Sequence, residues 1–279
     1  MEATKQSFIS PNFQTKCLYS QEVEKKAQEV LQDGYSILPR HIPESKLLAW
    51  RESFLPLLHK QIELEGTHTS RGSDRYYVTL PFTIPFADPS IFEDDSLLAI
   101  LDKLVGKDPA LCQLATDTPL LGSDYQDIHR DTQPLFPEAG FETPPFQLAV
   151  NFPLVDVTLE NGPLEVARKT HMVSKEKGMQ MIESGETPLE QVLMKLGDVM
   201  IRDVRGLHRG TPNRTRIPRP MVVLGYSRRW YFRPEVSIRV PRTELEPLSQ
   251  RARHLLRFNP VVEKLEVTPK TEVYQTFAY

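Results

Sequence analysis

Apolar positions recur at helical spacing in three early stretches and then give way to short alternating runs. Residues 20–33 place Val23, Ala27, Val30 and Leu31 on one stripe, with Ser20 in position to cap the helix and Gly34 to end it. Residues 35–39 read as a short strand. A second helical pattern covers 44–64 through Leu47, Leu48, Trp50, Phe54, Leu58 and Ile62, with Pro56 expected to kink or split it. Residues 76–82 read as a strand, and 90–105 as a third helix built on Ile91, Leu97, Leu98, Ile100, Leu101 and Leu104. Beyond that the period changes. Short β-type segments are expected at 110–116, 125–130, 146–154, 163–167, 197–202, 206–209 and 219–227, separated by turn residues such as Asn161-Gly162 and Gly197-Asp198. Residues 242–257 suit a closing helix, and 259–279 is left unassigned. Helices first and strands afterwards predict an α+β fold, with helices backing a β-sandwich or small barrel. There is no internal repeat, so the chain reads as a single domain over 1–279.

Composition narrows the function classes. The chain has 279 residues, 39% hydrophobic and 25% charged, which is ordinary for a globular protein. No apolar run approaches the roughly 20 residues needed to span a bilayer. The first residues, M-E-A-T-K-Q-S-F, show no secretory pattern, and the closing T-F-A-Y is not a peroxisomal address. Two cysteines, Cys17 and Cys112, make neither a disulfide framework nor a zinc motif. A cytoplasmic setting is therefore expected. A net charge of −3 gives no general affinity for nucleic acid or membrane. Arginines nevertheless crowd residues 202–242, either as a solvated face of ion pairs or as a cationic mouth for an anionic small molecule.

Chemistry concentrates in two places. In Q-D-I-H-R-D-T (126–132), His129 and Asp131 are two residues apart, which on a strand puts both side chains on one side and Arg130 on the other. In R-G-L-H-R-G-T-P-N-R-T-R-I-P-R-P (205–220), His208 offers a second imidazole. Two imidazoles and one carboxylate can hold one face of a ferrous ion and leave the opposite face open. The bland alternative makes these histidines polar residues with no metal. Arg219 follows His208 by eleven positions. Its planar, permanently charged fork suits the far carboxylate of a five-carbon keto diacid that chelates the iron.

These segments resemble the phytanoyl-CoA dioxygenase family of iron(II)/2-oxoglutarate-dependent oxygenases. The likeness extends to Asn213-Arg214-Thr215, to L-V-D-V-T-L-E-N-G-P-L-E-V (154–166) with Thr170-His171, and to K-L-G-D-V-M-I (195–201), and covers roughly residues 25–230. It leaves 231–279 as a C-terminal extension. The resemblance implies a double-stranded β-helix of the jelly-roll, cupin-like type. It also implies His129, Asp131 and His208 as iron ligands, Arg219 as the anchor of 2-oxoglutarate, and Gln126 as a further contact to that co-substrate. Asn151, where many members carry a tryptophan beside the co-substrate, is also a candidate contact to 2-oxoglutarate, and Gly210 stands where several carry a serine. Tyr77, Phe82 and Trp230 are candidates for the substrate pocket, while residues 66–75 and 172–192 are candidate lids. His171 reads as a structural histidine. The implied reaction couples decarboxylation of 2-oxoglutarate by O2, giving succinate and CO2, to hydroxylation, desaturation or rearrangement of a small molecule in specialised biosynthesis, and the arginine run keeps an anionic substrate in view. Intact Asp131 favours oxygenation over halogenation. Rival readings are a cupin-type metalloenzyme that does not use 2-oxoglutarate and a non-catalytic binding protein on the same fold.

Overall fold

The early helices form where their apolar stripes place them. The computed structural model describes residues 17–69, 71–139 and 142–265. Residues 1–16, with the N-terminal stretch read above, and 266–279, most of the unassigned end, lie outside the described residues. Helix α1 (Ser20–Asp33) buries Val23, Ala27 and Val30. Its cap is Tyr19 rather than Ser20, and the Glu22 carboxylate accepts the Tyr19 N–H at 3.1 Å. Gly34 closes it at φ +90°, a left-handed conformation that glycine adopts without a Cβ penalty. Strand β1 (Tyr35–Leu38) follows. Helix α2 (Glu44–Glu65) runs through Pro56 without a break. Burial of Trp50, Phe54 and Leu58 along one face offsets the single helix hydrogen bond that proline deletes.

A small hairpin, β2 (His68–Thr69) and β3 (Gly72–Ser73), leads into β4 (Arg75–Thr79). The expected third helix is two: α3 (Pro89–Phe92) and α4 (Asp95–Val105). Asp94 divides them, because its carboxylate accepts the Leu97 N–H at 2.8 Å and so starts a new helix. The strands β5 (Ala110–Pro119), β6 (Gln147–Pro153) and β7 (Leu164–Ala167) follow, then α5 (Lys175–Glu183), β8 (Leu189–Val192), β9 (Val199–Asp203), β10 (His208–Gly210) and β11 (Met221–Ser227). The chain closes with β12 (Val240–Pro241), α6 (Arg242–Leu245), α7 (Gln250–Leu255) and β13 (Val261–Val262). The closing helix is thus two short ones, interrupted around Pro247. None of the described helices is long and apolar enough to cross a membrane.

Two antiparallel sheets carry the architecture. The larger has six strands in the order β1-β9-β6-β11-β5-β4, and the smaller has three in the order β10-β7-β8. Alternation gives the larger sheet two different faces. Leu114, Leu148, Val150, Phe152, Ile201, Val222 and Leu224 point to the helices and pack with Trp50, Phe54 and Leu101 in the main core. Gln113, Asp117, Gln147, Asn151 and Arg202 point the other way and line a cavity. Met200 and Met221 of the large sheet meet Val166 of β7 and Val192 of β8 at one end of that gap, sealing it with a second apolar cluster.

One expected strand is absent. Residues 125–130 form no strand, and the one β-bridge they make to β10 is His129 to His208. The cause is one extra residue. Gln126 N–H donates to the Gly210 carbonyl at 3.0 Å, yet the next paired residue is His129, bonded reciprocally with His208 at 3.0 and 3.1 Å. Three steps on one side face two on the other, as in a β-bulge, a device common beside functional sites.

Candidate metal centre

The bulged segment and β10 bring both imidazoles and the carboxylate to the same end of the cavity. Ligating atoms of His129, Asp131 and His208 all lie within 4.8 Å of one another. Asp131 Oδ1 is 3.5 Å from His208 Nε2 and 3.9 Å from His129 Nε2. Asp131 is aimed by its own backbone, whose N–H donates to the Val204 carbonyl at 3.0 Å. Arg130 faces away as its position predicts, and donates to Glu142 at 3.0 Å and to the Thr170 carbonyl at 2.7 Å.

The backbone fixes the tautomers. His129 Nδ1 lies 2.7 Å from the Asp127 carbonyl, and His208 Nδ1 lies 3.0 Å from the Gly206 carbonyl. A carbonyl only accepts, so each Nδ1 carries the proton and each Nε2 turns a lone pair toward Asp131. Burial, reinforced by the neighbouring His208, pulls His129 down to about 4, so it is neutral at physiological pH. Burial works against ionisation of Asp131, but the Arg202 guanidinium and His208 outweigh it and hold the carboxyl well below its ordinary range. Two imidazoles and an ionised carboxylate are the donor set that suits a divalent transition metal. The residues therefore fit an iron ion.

Arg219 stands just before β11, almost fully buried, on the wall of the same cavity. It donates through Nη2 to the Gly162 carbonyl at 2.6 Å, while its Nε has no hydrogen-bond partner. Burial lowers it to about 10, and the nearby Asp117 opposes that shift, so it remains a cation at neutral pH. Gln126 also lines the cavity, but its Oε1 is committed to the Gly210 N–H at 3.0 Å. Asn151 projects into the cavity from β6; its Nδ2 donates to the Val222 carbonyl at 3.1 Å and its Oδ1 is buried without a partner. A side chain at Gly210 would have to displace its neighbours. A Cβ there would lie 2.5 Å from Arg75 Nη1 and 2.6 Å from Gln126 Oε1. Arg75, fully buried and bound to Asp117 at 2.9 Å and the Thr211 carbonyl at 2.7 Å, occupies the space that a serine would need.

Of the pocket candidates only Tyr77 is on the wall. Phe82 lies beyond the end of β4 at Thr79 and is buried in the main core, 5.6 Å from Phe92 between ring centroids. Trp230 is 60% exposed and stacks edge-on to Tyr231, outside the cavity. Residues 66–75 hold the β2–β3 hairpin and send Arg71 to the wall, whereas no residue of 172–192 lines the cavity, since that stretch folds into α5 and β8. His171 is structural, with Nε2 at 3.1 Å from the Leu31 carbonyl. The arginine run does not act as one surface: Arg202, Arg219 and Arg233 face the cavity, Arg205 is locked to Asp203 at 2.6 Å, and Arg214, Arg216 and Arg229 are exposed. Sequence reasoning did not single out Arg202, Asp117, Gln113 or Gln147. Alternation along β5, β6 and β9, which puts Gln113 and Asp117 on one side of β5, was the available signal for a shared face, but not for what that face meets.

Comparison with solved structures places this architecture. The nogalamycin-biosynthesis epimerase SnoN, described as non-heme and alpha ketoglutarate dependent, superposes with a TM-score of 0.57 at 19% identity over 75% of this chain and 83% of its own. AviO1 from Streptomyces viridochromogenes Tue57 gives 0.56 at 18% identity, covering 76% and 97%. HygX from Streptomyces hygroscopicus, solved with nickel and 2-oxoglutarate, gives 0.52 at 16% identity, covering 75% and 88%. These likenesses establish the expected cupin-like fold. The family model for phytanoyl-CoA dioxygenase (PhyH) matches residues 31–221, and the chain belongs to that family.

Proposed function

We propose that this protein is an iron(II)/2-oxoglutarate-dependent oxygenase acting on a small, polar, anionic molecule. The observation that carries the reading is the convergence of His129, Asp131 and His208 within 4.8 Å, with both Nε2 lone pairs turned inward. His129, Asp131 and His208 would hold the iron, and Arg219 would receive the far carboxylate of 2-oxoglutarate. When bound, these groups would activate O2, the oxidant, with 2-oxoglutarate leaving as succinate and CO2. The rest is done by the chain. His129, neutral at physiological pH, would donate to the metal without releasing a proton, and Arg219 would supply a charge-assisted contact to the co-substrate. SnoN, solved with Fe3+ and alpha ketoglutarate, and HygX support the co-substrate assignment by analogy of fold.

The wall supports the substrate class. Gln113, Gln147 and Tyr77 give it hydrogen-bonding character, and Arg71, Arg202 and Arg233 give it positive charge. The cavity, about 90 Å3, opens to solvent, so a small molecule can reach the wall from that side. Hydroxylation is the leading outcome, with desaturation, epimerisation or ring closure set by which C–H bond the wall presents.

The test is substrate-independent. Purified protein with iron(II), 2-oxoglutarate and O2 is expected to release succinate slowly even without its substrate, and Asp131→Ala is expected to abolish both this release and tight metal binding. Normal succinate release by Asp131→Ala, or no 2-oxoglutarate binding by the wild type, would remove the assignment in favour of a cupin that uses another reaction.

A further inference from the structure

Arg202 sits on β9 beside Ala149 of β6 and Tyr35 of β1. Its neighbours on the strand, Ile201 and Asp203, are buried on the opposite face, so Arg202 points to the cavity. It is only 5% exposed. A guanidinium so enclosed loses several kcal/mol of hydration, which only an ionic partner restores. That partner is Asp131: Arg202 Nη2 donates to Oδ2 at 2.6 Å. No other carboxylate is bonded to it among the described residues, and its Nε has no hydrogen-bond partner. Its Nη1, 3.4 Å from His208 Nδ1, makes no competing bond there, because that nitrogen already carries a proton directed at the Gly206 carbonyl.

The two carboxylate oxygens therefore have different surroundings. Oδ2 is held by Arg202, and Oδ1 is turned toward the Nε2 atoms of both histidines. We propose that Arg202 is a positioning residue that fixes the Asp131 carboxylate so that a single oxygen is presented to the metal. This inference rests on the metal assignment above. A carboxylate free to rotate would offer both oxygens in turn and would have to be ordered on metal binding.

Titration with Mn(II), which binds such sites without turnover, tests this. In Arg202→Gln the affinity is expected to fall on the order of 10-fold or more, the usual cost of removing a group that orients a metal ligand. Arg202→Lys, which keeps the charge and most of the stem, is expected to fold as the wild type and recover part of that loss. Metal-free melting of each variant shows whether the fold is intact. In the Asp131→Asn background, where the ionic partner is gone, Arg202→Gln is expected to add nothing. Affinity within about twofold of wild type in folded Arg202→Gln would overturn the proposal. So would tighter binding in either variant, the signature of a guanidinium acting only as a repelling charge, or an equal loss in the Asp131→Asn background. If the wild type itself binds no Mn(II), the metal assignment fails, and that result is distinct from the others.

Discussion

At the scale of single residues, the candidate site is decided by where protons and charges are forced to be. Two backbone carbonyls set the imidazole tautomers, and a guanidinium keeps Asp131 ionised. The residue most open to a direct test is Arg219. It is a buried cation whose Nε is unpartnered, and Asp117 nearby only partly balances it. Arg219→Ala should leave the triad in place but weaken 2-oxoglutarate binding by about 2–5 kcal/mol, roughly thirty-fold or more, as for truncating one side of a buried charge pair. The check is the 2-oxoglutarate concentration giving half-maximal succinate release; an unchanged value would assign the carboxylate to another residue. Residue type and spacing singled out His129, Asp131, His208 and Arg219, and the family resemblance supplied the roles expected of them. Arg75 was not legible, since nothing local says that a guanidinium from β4 fills the space above Gly210.

At the scale of elements, amphipathic helices were readable and the interruptions between them were less so. The 90–105 pattern holds its apolar stripe on both sides of Asp94, but the side-chain cap there is stronger than continuity of the stripe. In 44–64 the opposite happens, and tertiary burial carries the helix through Pro56. Trp50 is the anchor of that helix, packing edge-on against Phe86 at 5.1 Å and Phe152 of β6 at 5.3 Å between centroids. Trp50→Ala should therefore cost about 3–5 kcal/mol of stability. Urea unfolding would measure it, and a loss below about 1 kcal/mol would show that α2 is not what holds the sheet's outer face. The bulge at 126–129 is the element that alternation could not reveal. An i, i+2 reading put His129 and Asp131 together, correctly as to proximity, but a regular strand would pair residue 128 with His208 instead of His129.

At the scale of the whole molecule, the large sheet separates an apolar side, filled by the helices, from a polar side that faces the cavity. Cys112 illustrates how closed the interior is: burial raises its thiol to about 11, so thiolate forms only above that pH. Cys17 is exposed. At pH 8 a thiol-directed alkylating reagent is expected to label the native protein once, at Cys17, and twice after denaturation. Two labels on the native protein at that pH would mean that the β5–β11 pairing opens readily. The sequence by itself determined the donor types, their spacing, the faces of the helices and most strands, because residue chemistry and the periods 3.6 and 2 are local properties. Only the tertiary structure decided that residues some 80 positions apart meet, that Arg202 closes on Asp131, and that Phe82 and Trp230 do not line the cavity. Those outcomes depend on strand order and on one inserted residue, and long-range pairing is set by how whole faces pack rather than by any neighbour along the chain.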